Sequence, residues 1–94
     1  MSVYFIVQEE IHDREAIAQY GEQARAAPNS GKVLVVDGAQ TVVEGDWHGD
    51  RTVVIEFEDE AAFRAWYDSP EYQAVLPIRL GATDSRAALV RGRD

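Results

Sequence analysis

The sequence contains no cysteine, which excludes disulfide bonds and thiol catalysis for this chain. It also has no apolar run long enough to cross a membrane. Its first residues, MSVYFIVQEE, lack the basic region that precedes the apolar part of a signal peptide. From these absences we expect a cytoplasmic protein.

Basic residues are also scarce. The sequence has nine lysines and arginines but 17 aspartates and glutamates, and its formal net charge is −8 at pH 7. Nucleic acids and anionic membrane surfaces both attract clustered basic residues, and the two signs are interspersed in this sequence. We therefore expect neither nucleic acid nor membrane as a partner.

The motifs that bind nucleotides, flavins or catalytic zinc are missing from the sequence, which has no G-x-S-x-G, no Walker loop, no G-x-G-x-x-G and no H-E-x-x-H. We expect no cofactor. Asp46, His48 and Asp50 alternate as metal ligands could, but no second cluster completes a site. No metal site is predicted.

What is present indicates one α+β domain over residues 1–94. Alternating β-branched and aromatic residues predict strands at 3–8, 32–36, 40–44, 51–57 and 87–91. Asp-Gly at 37–38 predicts either a tight hairpin between the second and third of these or a bulge that bends a single long strand. Helical spacing predicts one helix after Asp13 and another after Asp59, with Phe63, Trp66 and Tyr67 as the buried stripe of the second.

This order predicts a ferredoxin-like βαββαβ fold, with an antiparallel sheet and two main helices on one face. The strands at 3–8, 32–36 and 51–57 carry apolar residues on both faces. One face would therefore remain apolar and uncovered in a monomer, which is unusual for a soluble protein. We expect a homodimer packed sheet on sheet.

The stretch AWYDSPEYQ, residues 65–73, breaks a helix and starts another. Ser69 can cap the new helix, because the residue before a proline is extended and Pro70 suits the first helical position. Pro77 predicts that this helix is short and ends at Leu76, and Gly81 predicts the end of a further turn.

The stretches EGDW at 44–47, VVIEF at 53–57 and AWYDSPEYQ at 65–73, followed by Arg79, resemble the bacterial domain-of-unknown-function 1330 family. The resemblance covers nearly the whole chain. It implies a ferredoxin-like dimeric α+β barrel, a fold similar to that of antibiotic-biosynthesis monooxygenases and muconolactone isomerases. It implies no settled reaction, since a fold alone does not define one.

The loop DWHGD, residues 46–50, is one candidate site. In one interpretation His48 is a general base, Glu44 is a catalytic carboxylate and Trp47 is the wall for an apolar ligand. In the other, the loop is a polar turn between strands, shaped by Gly49 and Asp50.

A second group of candidates lies on the predicted helices. Tyr20 is either a core residue or a phenol in a pocket between helix and sheet. Tyr72 and Arg79 flank the irregular helical segment, and Arg79 either binds a substrate carboxylate or pairs with Glu71 or Asp84.

Two functional hypotheses follow. The first is a cofactor-free isomerase or monooxygenase that acts on a small organic acid or aromatic compound. The second is a non-catalytic dimer that binds a metabolite or a protein. For the first, the predicted catalytic residues are His48 and Glu44, and the predicted substrate-binding residues are Tyr20, Trp47, Tyr72 and Arg79.

Overall fold

The computed structural model describes residues 1–93. Its elements in chain order are β1 (Val3–Ile11), α1 (Arg14–Ala24), β2 (Lys32–Asp37), β3 (Arg51–Phe57), α2 (Glu60–Tyr67), α3 (Pro70–Ala82) and β4 (Thr83–Arg91). The strands form an antiparallel sheet in the order β2-β3-β1-β4. This is the ferredoxin-like α+β arrangement that the sequence predicts.

The central strand β1 builds the core because its side chains alternate between the two sheet faces. Val3, Phe5 and Val7 are all buried on the face that the helices cover. Phe63 and Trp66 of α2 pack on Phe5, with ring centroids 5.0 and 6.0 Å away. The predicted apolar stripe of α2 is therefore the part of that helix that contacts the core.

The helices begin at the predicted capping residues, whose side chains each accept a hydrogen bond from an N–H three residues later: Asp13 from Ala16, Asp59 from Ala62 and Ser69 from Tyr72. Ser69 does more than cap α3. Its hydroxyl also donates to the carbonyl of Trp66 in the last turn of α2, at 2.7 Å. One hydroxyl thus joins the end of one helix to the start of the next.

The prediction that Pro77 ends a short helix is wrong. Helix α3 runs without interruption from Pro70 to Ala82, with Pro77 inside it and Gly81 in its last turn. Proline removes one backbone hydrogen bond, but packing can outweigh that loss. The residues of α3 that are buried recur every three or four positions and flank the proline on both sides: Tyr72, Val75, Leu76, Arg79 and Ala82.

The predicted strand at 40–44 is also wrong. Residues 38–50 form an irregular loop between β2 and β3. The Asp37 carboxylate accepts a hydrogen bond from the N–H of Ala39 at 2.8 Å. The Asp-Gly pair therefore forms a turn that is closed by the Asp37 side chain, and it does not form a tight hairpin. Val43 is 87% exposed, so burial does not favour a strand there.

Strands β1 and β4 are longer than predicted because they pair along their full lengths, from Val3 with Arg91 to Ile11 with Thr83. Strand β1 therefore continues past residue 8 to Ile11, and β4 begins at Thr83 instead of residue 87. The extension of β1 places Glu9 inside the sheet.

The sheet face opposite the helices is apolar at its centre. We call it the open face and define it by Ile6, Val35, Val54 and Val90, which the strand register places on that side. Val35 and Val90 are 39% and 40% exposed. None of the helices within residues 1–93 has the length and apolar character needed to span a bilayer.

Replacement of Ser69 by alanine should lower the free energy of unfolding by about 1 kcal/mol, because it removes a helix cap. Urea denaturation of the variant and the wild type measures the difference. Ser30→Ala, at an exposed position outside the helices and strands, is the matched control. Equal stability of the two variants would show that the Ser69 hydroxyl is not an effective cap.

Candidate functional site

A cavity of about 480 Å³ lies between helices α1 and α3 and the helix-covered face of the sheet. Its volume is in the range typical of small-molecule sites. Val33 and Val36 of the edge strand β2 line it and are more than half exposed, so the mouth is at this edge. The apolar walls are formed by Phe5, Val7, Val33, Val36, Val53, Ile55 and Trp66.

Arg79 of α3 lines this cavity and is only 4% exposed. Its position seven residues after Tyr72 places both side chains on the buried face of the helix. Within residues 1–93, the Nη1 atom of Arg79 is buried and has no hydrogen-bond partner. Neither of the predicted ion pairs, with Glu71 or with Asp84, is formed in this part of the chain. Arg79 therefore brings an unsatisfied, buried donor to the wall of the cavity.

The guanidinium of Arg79 remains charged in this environment. Burial works against the charge, but the neighbouring Tyr72, Tyr20 and Glu9 side chains outweigh that effect and raise the pKa of Arg79. Arginine is already protonated at every ordinary pH. A buried cation without a complete set of acceptors destabilises the protein, so an anion in the cavity would be favourable there.

Two phenols lie beside this cation. The hydroxyl oxygens of Tyr20 on α1 and Tyr72 on α3 are 2.6 Å apart, and their rings meet edge to face. Tyr72 is fully buried and packs on Trp66, with the ring centroids 4.2 Å apart. Each hydroxyl has one hydrogen, and only one can lie between the two oxygens. Either oxygen can be the donor, so the second hydrogen lies on one or the other phenol.

Burial of the Tyr20 phenol, together with Tyr72 beside it, raises the pKa of Tyr20 far above its usual value. The phenol therefore stays protonated at any pH at which the protein would be studied. Tyr20 can donate a hydrogen bond to a bound oxygen, but it cannot act as a general base.

An ion pair between a buried carboxylate and a partly exposed guanidinium forms the end of the cavity nearest the loop. Glu9 of β1 is 1% exposed, and Arg51 lies directly opposite it on β3. The Nε and Nη2 atoms of Arg51 lie 2.9 and 2.8 Å from the same carboxylate oxygen, Oε1 of Glu9. Both residues line the cavity.

Sequence reasoning missed this pair, although a signal for it exists. Glu9 continues the inward alternation of Val3, Phe5 and Val7, so a longer β1 places it on the helix-covered face. The sequence pattern predicts a strand that ends at residue 8, which leaves Glu9 outside the inward-facing positions.

The DWHGD loop lies elsewhere. The Nε2 atom of His48 is 2.7 Å from the backbone carbonyl of Asp84 on β4. Trp47 donates from Nε1 to Oγ1 of Thr52 and lines a shallow depression on the open face. Glu44 is exposed on the loop. Of the six predicted site residues, the cavity unites Tyr20, Tyr72 and Arg79, while Glu44, Trp47 and His48 lie outside it.

Several contacts of this loop are those of a structural turn. Gly49 has a φ of +81°, and a Cβ atom there would lie 2.2 Å from the carbonyl oxygen of Glu9. The N–H of Asp50 donates to that carbonyl at 2.8 Å, and the Asp50 carboxylate accepts from Arg14 at 2.9 Å. In the described part of the chain, no three potential ligands cluster as a metal site would require. The catalytic roles of His48 and Glu44 stay predictions.

Solved structures share this fold. A protein of unknown function from Rhodopseudomonas palustris is 21% identical, with a TM-score of 0.79, and the alignment covers 99% of this chain and 83% of that one. A dimeric ferredoxin-like protein of unknown function from Thermobifida fusca is 22% identical, with a TM-score of 0.62 and coverage of 98% and 92%. SnoaB, a cofactor-independent oxygenase from Streptomyces nogalater, is 16% identical, with a TM-score of 0.64 and coverage of 99% and 94%.

At these identities the likeness shows the fold alone. No protein of curated function matches the sequence. A family match is nevertheless clear, because the pattern of the domain of unknown function DUF1330 extends over residues 2–93. The chain therefore belongs to the DUF1330 family, as its EGDW, VVIEF and AWYDSPEYQ stretches predict.

Proposed function

We propose that this protein is a cytoplasmic homodimer that binds a small organic acid with an apolar or aromatic body in the cavity beside Arg79. The observation that carries the proposal is the buried Nη1 atom of Arg79, which has no hydrogen-bond partner within residues 1–93. A carboxylate is the natural partner of a guanidinium, since its two oxygens match the donor geometry. The second hydroxyl hydrogen of the Tyr20–Tyr72 pair would provide a further donor beside the guanidinium.

The remainder of the cavity suits the body of such an acid. Its walls are aliphatic and aromatic, and its mouth is bordered by Val33 and Val36. A flat apolar group could lie between these valines and Ile55. Its removal from water would contribute roughly 25 cal/mol of favourable binding free energy per Å² of buried apolar area. The acid group would then lie deepest, at Arg79, and the apolar body would extend toward β2.

As the reaction, we propose a cofactor-free isomerisation or oxygenation of the bound compound. Both reactions develop negative charge on an oxygen atom of the substrate, and fixed donors can stabilise that charge. Arg79 would hold the acid group, and the tyrosine pair would donate to the oxygen on which this charge develops. The fold of SnoaB, described as a cofactor-independent oxygenase, gives support by analogy only.

A non-catalytic dimer that binds a metabolite is the second candidate. It is favoured by the placement of His48, the predicted base, which contacts the backbone of β4 and does not line the cavity. In this case the donors around Arg79 would serve recognition only. A dimer that binds a protein partner is a further form of this candidate.

The homodimer is supported by the open face. Ile6, Val54 and Val35 lie on three adjacent strands, so their side chains form a continuous apolar strip. Packing against the same strip of a second copy would bury it, and a stable interface of this kind buries about 1,600 Å² in total. A structural neighbour from Thermobifida fusca is described as dimeric.

Arg79→Met should weaken the binding of small acids. Benzoate at about 100 times its Kd should raise the Tm of the wild type by several degrees, while benzamide, its neutral counterpart, should not. In the variant we expect benzoate affinity to fall by about 10- to 100-fold, because a charge-assisted hydrogen bond is lost. Thermal shift and isothermal titration calorimetry measure these changes.

Arg93→Met is the matched control, since Arg93 is exposed near the end of β4. It should leave benzoate binding unchanged. If Arg79→Met and Arg93→Met bind a panel of aliphatic and aromatic acids equally well, the cavity is not the acid site.

Isotope incorporation separates catalysis from binding alone. Any acid that the wild type binds and Arg79→Met does not should be incubated with protein in D₂O and, separately, under ¹⁸O₂. The catalytic proposal predicts protein-dependent deuterium uptake or ¹⁸O incorporation by mass spectrometry, absent with Arg79→Met. Unchanged mass under both conditions would favour the metabolite-binding dimer.

The wild type should sediment as a dimer at micromolar concentration. Val54→Asp places a charge in the centre of the open face and should convert the dimer to monomers. Leu80→Asp is the control, because Leu80 is 55% exposed on α3, in the helix layer. A wild type that sediments as a monomer would rule out the proposed interface.

A further inference from the structure

The charged groups of the cavity do not cancel one another. Among residues 1–93, four charged side chains line it: Glu9, Arg25, Arg51 and Arg79. Arg25 is exposed at the mouth, where water and salt screen its charge. The interior therefore holds two guanidinium groups and one carboxylate, which leaves one positive charge unbalanced.

The geometry assigns that unbalanced charge to Arg79. Arg51 directs both Nε and Nη2 at Oε1 of Glu9, so its charge is neutralised by a fixed partner. The backbone of Glu9 is fixed as well, because its carbonyl accepts the N–H of Asp50. Arg79 has no such carboxylate in contact, and its Nη1 atom lacks a partner in the described residues.

We propose that Glu9 is a specificity-determining residue that sets the ionic charge of the ligand. The cavity takes monoanionic carboxylates and rejects dianions, such as phosphate monoesters and dicarboxylates. This inference rests on the proposed function of the Arg79 cavity. It goes further because it assigns to Glu9, a residue that need not touch the ligand, the choice between acids of different charge.

The physical reason is charge balance beside apolar walls, where charges are screened less than they are in bulk water. One carboxylate neutralises the interior, whereas a second negative charge would face the Glu9 carboxylate without a cation to match it. At the separations found within a cavity of this size, an unmatched unit charge near a fixed carboxylate changes affinity by about tenfold or more. Loss of the Glu9 charge would leave two unmatched arginines, which suit a dianion.

Three variants alter the interior charge one unit at a time. Glu9→Gln raises it to two positive charges and keeps an amide oxygen that Arg51 can donate to. Arg51→Gln lowers it to zero and keeps an amide donor for Glu9. The double variant Glu9→Gln/Arg51→Gln returns it to one positive charge, carried by Arg79. Circular dichroism and thermal melting establish which variants fold.

Isothermal titration calorimetry at pH 8 and low salt compares two probes with the same ring, benzoate as the monoanion and phenyl phosphate as the dianion. The wild type and the double variant should prefer benzoate by about tenfold or more. Glu9→Gln should reverse that preference. Arg51→Gln should lose benzoate affinity by a similar factor. Since the two single variants shift the balance in opposite directions, either one tests the inference if the other does not fold.

The outcomes separate this inference from the proposed function. If neither probe nor any other small acid binds the wild type, both fail. If benzoate binds and Arg79→Met weakens its binding by about 10-fold or more, the acid site stands. The role of Glu9 is then refuted by a wild type that binds phenyl phosphate as tightly as benzoate, or by single variants that keep the wild-type ratio. A reversal in Glu9→Gln that the double variant undoes supports the charge rule.

Discussion

The pairing of β1 with a strand on each side is the constraint on which the other features of this protein depend. With β3 and β4 as its neighbours, β1 cannot rotate or slip without moving every side chain to the other face. The side chains of β1 that face the helices are those of Val3, Phe5, Val7 and Glu9. Three apolar core residues are therefore followed on the same strand by a buried carboxylate. The register then places Arg51 opposite that carboxylate. The polar end of the cavity thus follows from strand pairing.

Helix α3 contributes a positive charge to the cavity, and it does so through helical spacing instead of strand pairing. Helix α3 presents its buried residues at intervals of three and four, and Arg79 occupies a position that packing alone would assign to an apolar side chain. An incompletely paired cation at such a position weakens the folded state. Residues that lower stability in this way are common at functional sites, where a ligand can supply the missing interaction. The apolar walls and the two phenols surround this single group.

Local patterns in the sequence predicted much of this fold, and long-range effects account for the differences. Caps at Asp13, Asp59 and Ser69 and the strand at 51–57 depend on neighbouring residues, and all are found as predicted. The continuation of α3 through Pro77 depends on tertiary packing, which local propensity does not contain. Helical spacing indicated Tyr20, and the irregular segment that begins at the Asp-Ser-Pro break indicated Tyr72 and Arg79. The proximity of Glu9 to Arg51 follows from the strand register, which local sequence patterns do not contain. His48 is adjacent to carboxylates in the sequence, but it does not line the cavity.

The hydroxyl of Ser69 has a role beyond the helix end that it caps. It accepts its hydrogen bond from the N–H of Tyr72, the residue whose phenol meets Tyr20 in the cavity. Seven residues of α-helix fall only about 20° short of two full turns, so Arg79 points almost the same way as Tyr72. The rotation of α3 about its own axis therefore determines the direction of both donors. That rotation is set where Ser69 joins α2 to α3, outside the cavity. A change at this corner would therefore alter the direction of both binding groups. Every residue that lines the cavity would remain the same.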